Sequence, residues 1–189
     1  MKLVINILFL IALGYYFYKF IQLLIKMKQP VIVPINESER NVLRIFPQKP
    51  VASPSYAKQK WGIIIYSFML LFVLTMFIIG FDLNWSYQIL LFLPLINSRN
   101  SFNLFALVED GILCGDRFIA WKQMKSFQVV PIEPNHKYYG YEKDVNEGYE
   151  IRIKTRGRSI SCIVTTSDMN EKLTGIIAEK APLDGANLI

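Results

Sequence analysis

His136 is the one histidine of this 189-residue chain, and it lies in the stretch EPNHKYYGYEKDVNEG (133–148) beside Tyr138, Tyr139 and Tyr141. An imidazole acting as a general acid or base needs a partner that orients it. Glu142 and Asp144 are close in sequence, which supplies carboxylates without supplying geometry. Loops carried on rigid scaffolds often bind ligands, and exposed tyrosines suit protein contacts. His136, Tyr138, Tyr139 and Tyr141 therefore form a candidate binding loop. The plainer reading of the same residues is a polar loop whose tyrosines lie on a sheet or on a bilayer surface.

A second group is basic. Arg152, Lys154, Arg156 and Arg158 recur at every other position, with Arg117, Lys122 and Lys125 as further members. Such a face can hold a domain against anionic inner-leaflet lipid, at about 1 kcal/mol per basic residue near the surface. It can equally be a solvated strand face with a charged turn.

Other chemistry finds little footing. Cys114 and Cys162 are the only cysteines and form no Cys-x-x-Cys pair. They read as a reduced, buried pair, because cysteine is among the most buried residue types. A zinc site needs four ligands, and one histidine with two separated cysteines is a poor start. The chain has no glycine-rich phosphate loop, no G-x-S-x-G elbow and no H-E-x-x-H. Glu109 and Asp110 are adjacent at a turn, where Asp is expected for its conformation. The expectation is a non-enzyme with no metal and no cofactor. A small membrane enzyme centred on His136 is the reading that would displace it.

The elements that carry these residues divide sharply by composition. The chain is 52% hydrophobic and 19% charged, against about a quarter charged in ordinary soluble domains. Two long stretches hold almost no charge. Leu3 to about Ile25 is long enough to cross a hydrocarbon core of roughly 30 Å. Lys19 interrupts it within snorkelling reach of an interface, and Tyr15, Tyr16 and Tyr18 crowd the same half, as interface-seeking aromatics do. No small-residue cleavage pattern precedes Lys26 and Lys28, so residues 1–26 read as an uncleaved anchor. Gly62 to Gly80, GIIIYSFMLLFVLTMFIIG, is a second span. Trp85 to Ile96 is shorter than the usual minimum of about 17 residues. It reads as the returning arm of a helical hairpin over 62–98, with a re-entrant segment as the other possibility.

Charge sets the expected orientation. The connector 27–61 carries Lys26 at its edge, then Lys28, Arg40, Arg44, Lys49, Lys58 and Lys60 against Glu37 and Glu39. The hairpin turn carries Asp82 and no basic residue. The positive-inside rule then places the connector and the C-terminal domain in the cytoplasm of a multi-pass cell-membrane protein. Lys2, on the translocated end, counts mildly against it. The overall net charge of +6 would suggest nucleic acid in a soluble protein. Here the excess flanks apolar spans, so the expected partner is membrane lipid and not nucleic acid. Pro30, Pro34, Pro47, Pro50 and Pro54 make the connector read as extended linker, with an edge strand conceivable at Val31–Ile35.

Residues 99–189 change pattern. Phe102 to Val108 is a largely apolar strand, Asp110-Gly111 a hairpin signal, and Ile112–Cys114 and Arg117–Trp121 two short strands. One helical turn at Lys122–Lys125 and a strand at Phe127–Ile132 follow. Tyr149 to Thr155 places Tyr149, Ile151 and Ile153 on one face and Glu150, Arg152 and Lys154 on the other, the signature of a sheet with one wet side. Ser159–Val164 repeats it. Asp168 and Glu171 have capping-box spacing. Met169, Leu173, Ile176 and Ile177 make an apolar helical stripe that Pro182 ends. The expected fold class is α+β with transmembrane helices: a membrane helix, a helical hairpin, then a small antiparallel sheet capped by a C-terminal helix.

This order after a membrane hairpin resembles the bacterial pleckstrin-homology-like (PH-like) membrane proteins. The residues carrying the resemblance are Val108-Glu109-Asp110-Gly111-Ile112, the stretch from Phe118 to Phe127 (FIAWKQMKSF) and the final strand and helix. The chain departs from that pattern in its extra N-terminal span and its insertion at 133–148. The resemblance implies a fold and a membrane location, and supplies no catalytic residues. The functional expectation is a non-catalytic cytoplasmic module that contacts another protein or an anionic lipid surface, as a homo-oligomer in one version. An accessory subunit of a transporter or channel is the alternative, although spans so free of polar groups offer no conduction path.

Overall fold

The computed structural model describes residues 2–80, 90–96, 101–155, 157 and 159–181. Two long helices come first in packing terms. Helix α1 spans Lys2–Lys26. Further on, after the short α2 (Glu37–Asn41), helix α3 spans Lys60–Ile79. They run antiparallel, with Phe9 stacked on Phe77 and Phe20 on Tyr66 at centroid distances of 4.4 and 4.8 Å. Their buried residues recur every three or four positions (Tyr66, Leu70, Val73, Phe77), which keeps them on one helical face. The opposite faces leave Leu3, Ile7, Ile11, Phe68, Leu71 and Ile79 exposed. Only 22% of the most apolar window of α1 and 28% of that of α3 is buried, so the described residues leave most of each helix's apolar surface uncovered. Both are long and apolar enough to cross a membrane. The expected third span lies largely outside the described residues. What is described of it is Leu90 to Phe92 and a helical turn, α4 (Leu93–Ile96), with Leu91 and Leu95 buried among the helices.

Among the described residues, nine strands make two antiparallel sheets. They are β1 (Val31–Val33), β2 (Leu43–Phe46), β3 (Lys49–Pro50), β4 (Phe105–Val108), β5 (Gly111–Cys114), β6 (Arg117–Ala120), β7 (Met124–Pro131), β8 (Tyr149–Thr155) and β9 (Ser159–Val164). The first sheet has the order β1-β4-β5-β6 and the second β3-β2-β9-β8-β7. Between them lies a core of Phe105, Leu107, Ile112, Ile151, Ile153 and Cys162, closed by Leu173 and Ile177 of the last helix. Strand β4 is buried along its whole length because it has two apolar neighbours. Phe105 and Leu107 face the second sheet, while Ala106 and Val108 face α1 and α3. The sheet thus sits directly on the long helices.

Two features differ from the sequence reading. The connector is not a linker alone: Val31 pairs with Val108, and Leu43 and Arg44 pair with Val164 and Ile163. Val33 and Leu43 are fully buried, so core burial wins over the proline content. Pro30, Pro34 and Pro47 stand outside the strands they punctuate, and Pro50 lies on the edge strand β3, where a missing N–H is tolerated. The last helix, α6 (Ser167–Lys180), follows α5 (Lys143–Asn146) within the insertion. Its N-cap is Thr166, without a side-chain cap bond, so Asp168 sits inside the first turn rather than capping it. There its carboxylate faces the positive end of the helix dipole. The stripe of Met169, Leu173 and Ile177 is buried as its spacing requires.

Candidate functional site

Glu150 lies on the face of β8 opposite Ile151 and Ile153, the face that alternation assigns to water, yet none of it is exposed. The insertion covers it. His136 Nε2 is 2.9 Å from Glu150 Oε2, Lys137 Nζ is 2.8 Å from Oε1, and Arg152 Nε is 2.5 Å from Oε2. Ser161, opposite Arg152 on β9, hydrogen-bonds the same carboxylate. Burial pushes the Glu150 carboxyl upward, but the bonds from Lys137, Arg152, His136 and Ser161 outweigh it and hold the group below its ordinary value. The neighbouring Lys137 is drawn down by burial and raised more strongly by Glu150 and Tyr138, ending above its ordinary value.

The network also holds the imidazole. The Tyr138 backbone N–H donates to His136 Nδ1 at 3.2 Å, and Nε2 meets both Glu150 Oε2 at 2.9 Å and Arg152 Nη2 at 3.1 Å. Both ring nitrogens are committed. A general base needs a free lone pair aimed at substrate, and this geometry gives His136 a structural task instead. Tyr138 turns inward with it, packing near Ile132, Val145 and Ile163. Tyr139 and Tyr141, flanking Gly140 at φ +89°, stay on the surface. Arg44 pairs with Glu142, and the Gly140 N–H donates to Asn146 Oδ1 at 2.8 Å. The candidate loop is therefore a folded insert with one tyrosine in and two out. Of the basic series, Arg152 belongs to the carboxylate cluster and Lys154 is exposed. Arg156 and Arg158 lie outside the described residues.

Beside this cluster opens a cavity of about 590 Å³ that shares Tyr138 and Ser161 with it. One wall is α1 at Tyr15 and Lys19, and another is the β5–β6 turn, Gly115 to Arg117. The β8–β9 turn contributes Thr155, Gly157 and Ser159. Phe46, Phe118, Ile119 and Ile160 supply apolar surface. Arg117 Nε is 3.4 Å from the buried Asp116. Lys19 donates to Gln22 at 3.2 Å and lies over the rings of Tyr15 and Tyr18. Sequence reasoning did not assemble this site, since Lys19 and Arg117 belong to elements that only the tertiary packing joins.

The cavity also reaches Cys114. Burial, with Asp116 adding to it, pushes that thiol up to about 12. Cys162 is raised as well, by burial and then by Cys114. Both are free and buried, and neither forms the thiolate a nucleophile requires. Among the described residues, no three His, Cys, Asp or Glu side chains group as metal ligands would.

Comparison with protein-family models, curated proteins and solved structures gives no match.

Proposed function

We propose that this protein is a multi-pass membrane protein whose PH-like domain faces the cytoplasm, performs no catalysis and rests against an anionic lipid surface. The observation that carries the reading is where the domain meets α1. Lys26, at the end of α1, pairs with Asp110 at the β4–β5 turn. Tyr15 and Lys19, two to three turns nearer the apolar N-terminal part, adjoin the β5–β6 and β8–β9 turns. The domain therefore extends back along α1 toward the segment fit for lipid. Its leading end carries Arg117, Lys125 and Lys154, since Met124 pairs with Thr155 and Ser126 with Lys154. Basic groups at that level meet anionic headgroups.

The strand pairing supports the multi-pass arrangement. Because β1 joins β4 and β2 joins β9, the connector and the C-terminal domain share one side of any bilayer. A spanning α3 then requires the chain to be back on that side by Ser101, whose carbonyl lies against Gly62 at the start of α3. The two sheets and closing helix suit the resemblance to PH-like proteins.

A probe at Gly157 tests the surface contact, because a Cβ added there meets nothing within 4 Å. The native thiols are buried, so a nitroxide on Gly157→Cys reports alone. In full-length protein in anionic nanodiscs, collision with lipid-chelated nickel should be strong. It should weaken with K125E/K154E and in high salt, where the Debye length falls to about 3 Å at 1 M. Equal collision rates in anionic and zwitterionic discs would refute the surface contact.

A further inference from the structure

We propose that the cavity between Lys19 and Arg117 is a binding site for one phosphate-bearing anionic headgroup. Two cations from distant parts of the chain converge on it, with Asp116 the one carboxylate among its lining residues. Asp116 is engaged by Arg117. Lys19 meets an amide and two aromatic rings, and no carboxylate among the described residues. The site therefore keeps a net positive charge for a ligand to neutralise.

The remaining polar lining favours phosphate over carboxylate. Ser159 and Thr155 bring hydroxyls from β9 and β8, Ser161 being engaged by Glu150, and Tyr15 and Tyr138 bring phenols from two other walls. Donors spread around a cavity in this way match an anion with several equivalent oxygens, and the guanidinium of Arg117 suits phosphate geometry. A volume of about 590 Å³ falls within the ordinary range of ligand pockets, roughly 300–1,000 Å³.

The apolar lining favours an amphiphile. Phe118, Ile119 and Ile160 could hold a glycerol and the first methylenes of an acyl chain beside the phosphate. The outer face of α1 next to the cavity exposes Tyr18, Ile21 and Ile25, which gives a chain a lateral path from lipid. The assignment rests on the surface reading for the source of the ligand, and on the cavity for its chemistry. The shared chemistry is the phosphate group, which a lipid or a free phosphate could present.

Native mass spectrometry of the full-length protein, with phosphatidylglycerol titrated into a zwitterionic background, tests it. The expected result is a saturable one-to-one adduct, at least tenfold weaker in K19Q/R117Q and lost in S159W, which fills the cavity from an exposed position. Phosphatidylcholine of the same chain length should not form it. Displacement of the adduct by millimolar inorganic phosphate would assign the site to free phosphate, with the same residues. Equal adducts with the zwitterionic lipid, or unchanged binding in both variants, would overturn the site. The adduct should persist in K125E/K154E. If it does while the Gly157 probe shows no surface contact, the surface reading fails and the headgroup site stands. If the probe reports contact and no adduct forms, the site fails alone.

Discussion

His136 Nε2 lies 2.9 Å from Oε2 of Glu150, a carboxylate without exposed surface near the start of strand β8. The pair ties the 133–148 insertion to β8, so the loop is an extension of the sheet rather than an independent arm. Replacing the carboxylate by an amide would leave four donors, from His136, Lys137, Arg152 and Ser161, with one uncharged acceptor oxygen. Lys137 and Arg152 keep 55% and 40% of their side-chain surface exposed, so water can resolvate them. His136 is buried and cannot be rescued that way. E150Q should therefore cost about 1–3 kcal/mol, below the usual penalty for a wholly buried ion pair. Denaturant unfolding in micelles measures it, and protease cleavage within 133–148 should quicken in parallel.

The same cluster sets a pH window. Glu150 is held below its ordinary value of 4.5, so its stabilisation is full above that value and is lost as pH falls through the lower folded value. Lys137 is raised above 10.5, so its share is full below that value and is lost as pH rises through the higher folded value. Proteolytic resistance of the insertion should be flat between those limits and fall only on the acid side of 4.5, as pH drops through the lowered folded value. In E150Q the acid limb should be shallower. An unchanged acid limb would show that other carboxylates govern it.

The strands that alternate cleanly were legible before any coordinates. Tyr149–Thr155 and Ser159–Val164 are found with the expected bounds, because Ile151, Ile153, Cys162 and Val164 face one core. Glu150 was assigned to the correct face, but the cover was invisible: water there is replaced by His136 and Lys137 from a loop with no periodicity. Strand β1 falls within the edge strand conceivable at Val31–Ile35, whereas β2 and β3 were hidden for another reason. Segments of two to four residues between prolines carry too little pattern, and their partners lie far along the chain. The cavity had no sequence signal at all, since Lys19 read as a snorkelling residue and Arg117 as one charge among several.

Burial of the connector makes a sharp prediction about fragments. Residues 99–189 alone lack Val33, Leu43 and Val51 from the core and leave β4 and β9 without their outer partners. Unpaired edges over an open apolar face favour aggregation. The fragment should show no cooperative unfolding transition and should aggregate. In the full chain, L43A should cost about 2–5 kcal/mol, as truncation of a buried leucine does. A sharp thermal transition in the isolated fragment would show that the connector is dispensable.

Gly111 tests the first sheet. A Cβ there would run into the Ile119 carbonyl oxygen and lie 2.8 Å from the Ala120 Cα, both backbone atoms of the paired strand β6. Neither can move without opening the ladder that packs on α1. G111A should destabilise the protein by about 1–3 kcal/mol, in the range of overpacked sites. A Gly157→Ala control, in open space, should be close to neutral. Equal stability of the two variants would mean that β5 and β6 can separate at little cost.

Sidedness is the last quantity the fold constrains. Wild-type thiols cannot report it, since Cys114 and Cys162 are buried and held protonated well above neutral pH. An impermeant maleimide should leave the wild-type protein unmodified whichever way it faces. Lys125→Cys, on an exposed position of β7, supplies a reporter on the domain, and Lys49→Cys, exposed on β3, one on the connector. Because β2 pairs with β9, the two must behave alike. Basic residues resist translocation, so both should stay unlabelled in intact cells and react once the membrane is permeabilised. Labelling of both in intact cells would invert the topology and leave the fold untouched. Labelling of one alone would contradict the strand pairing itself.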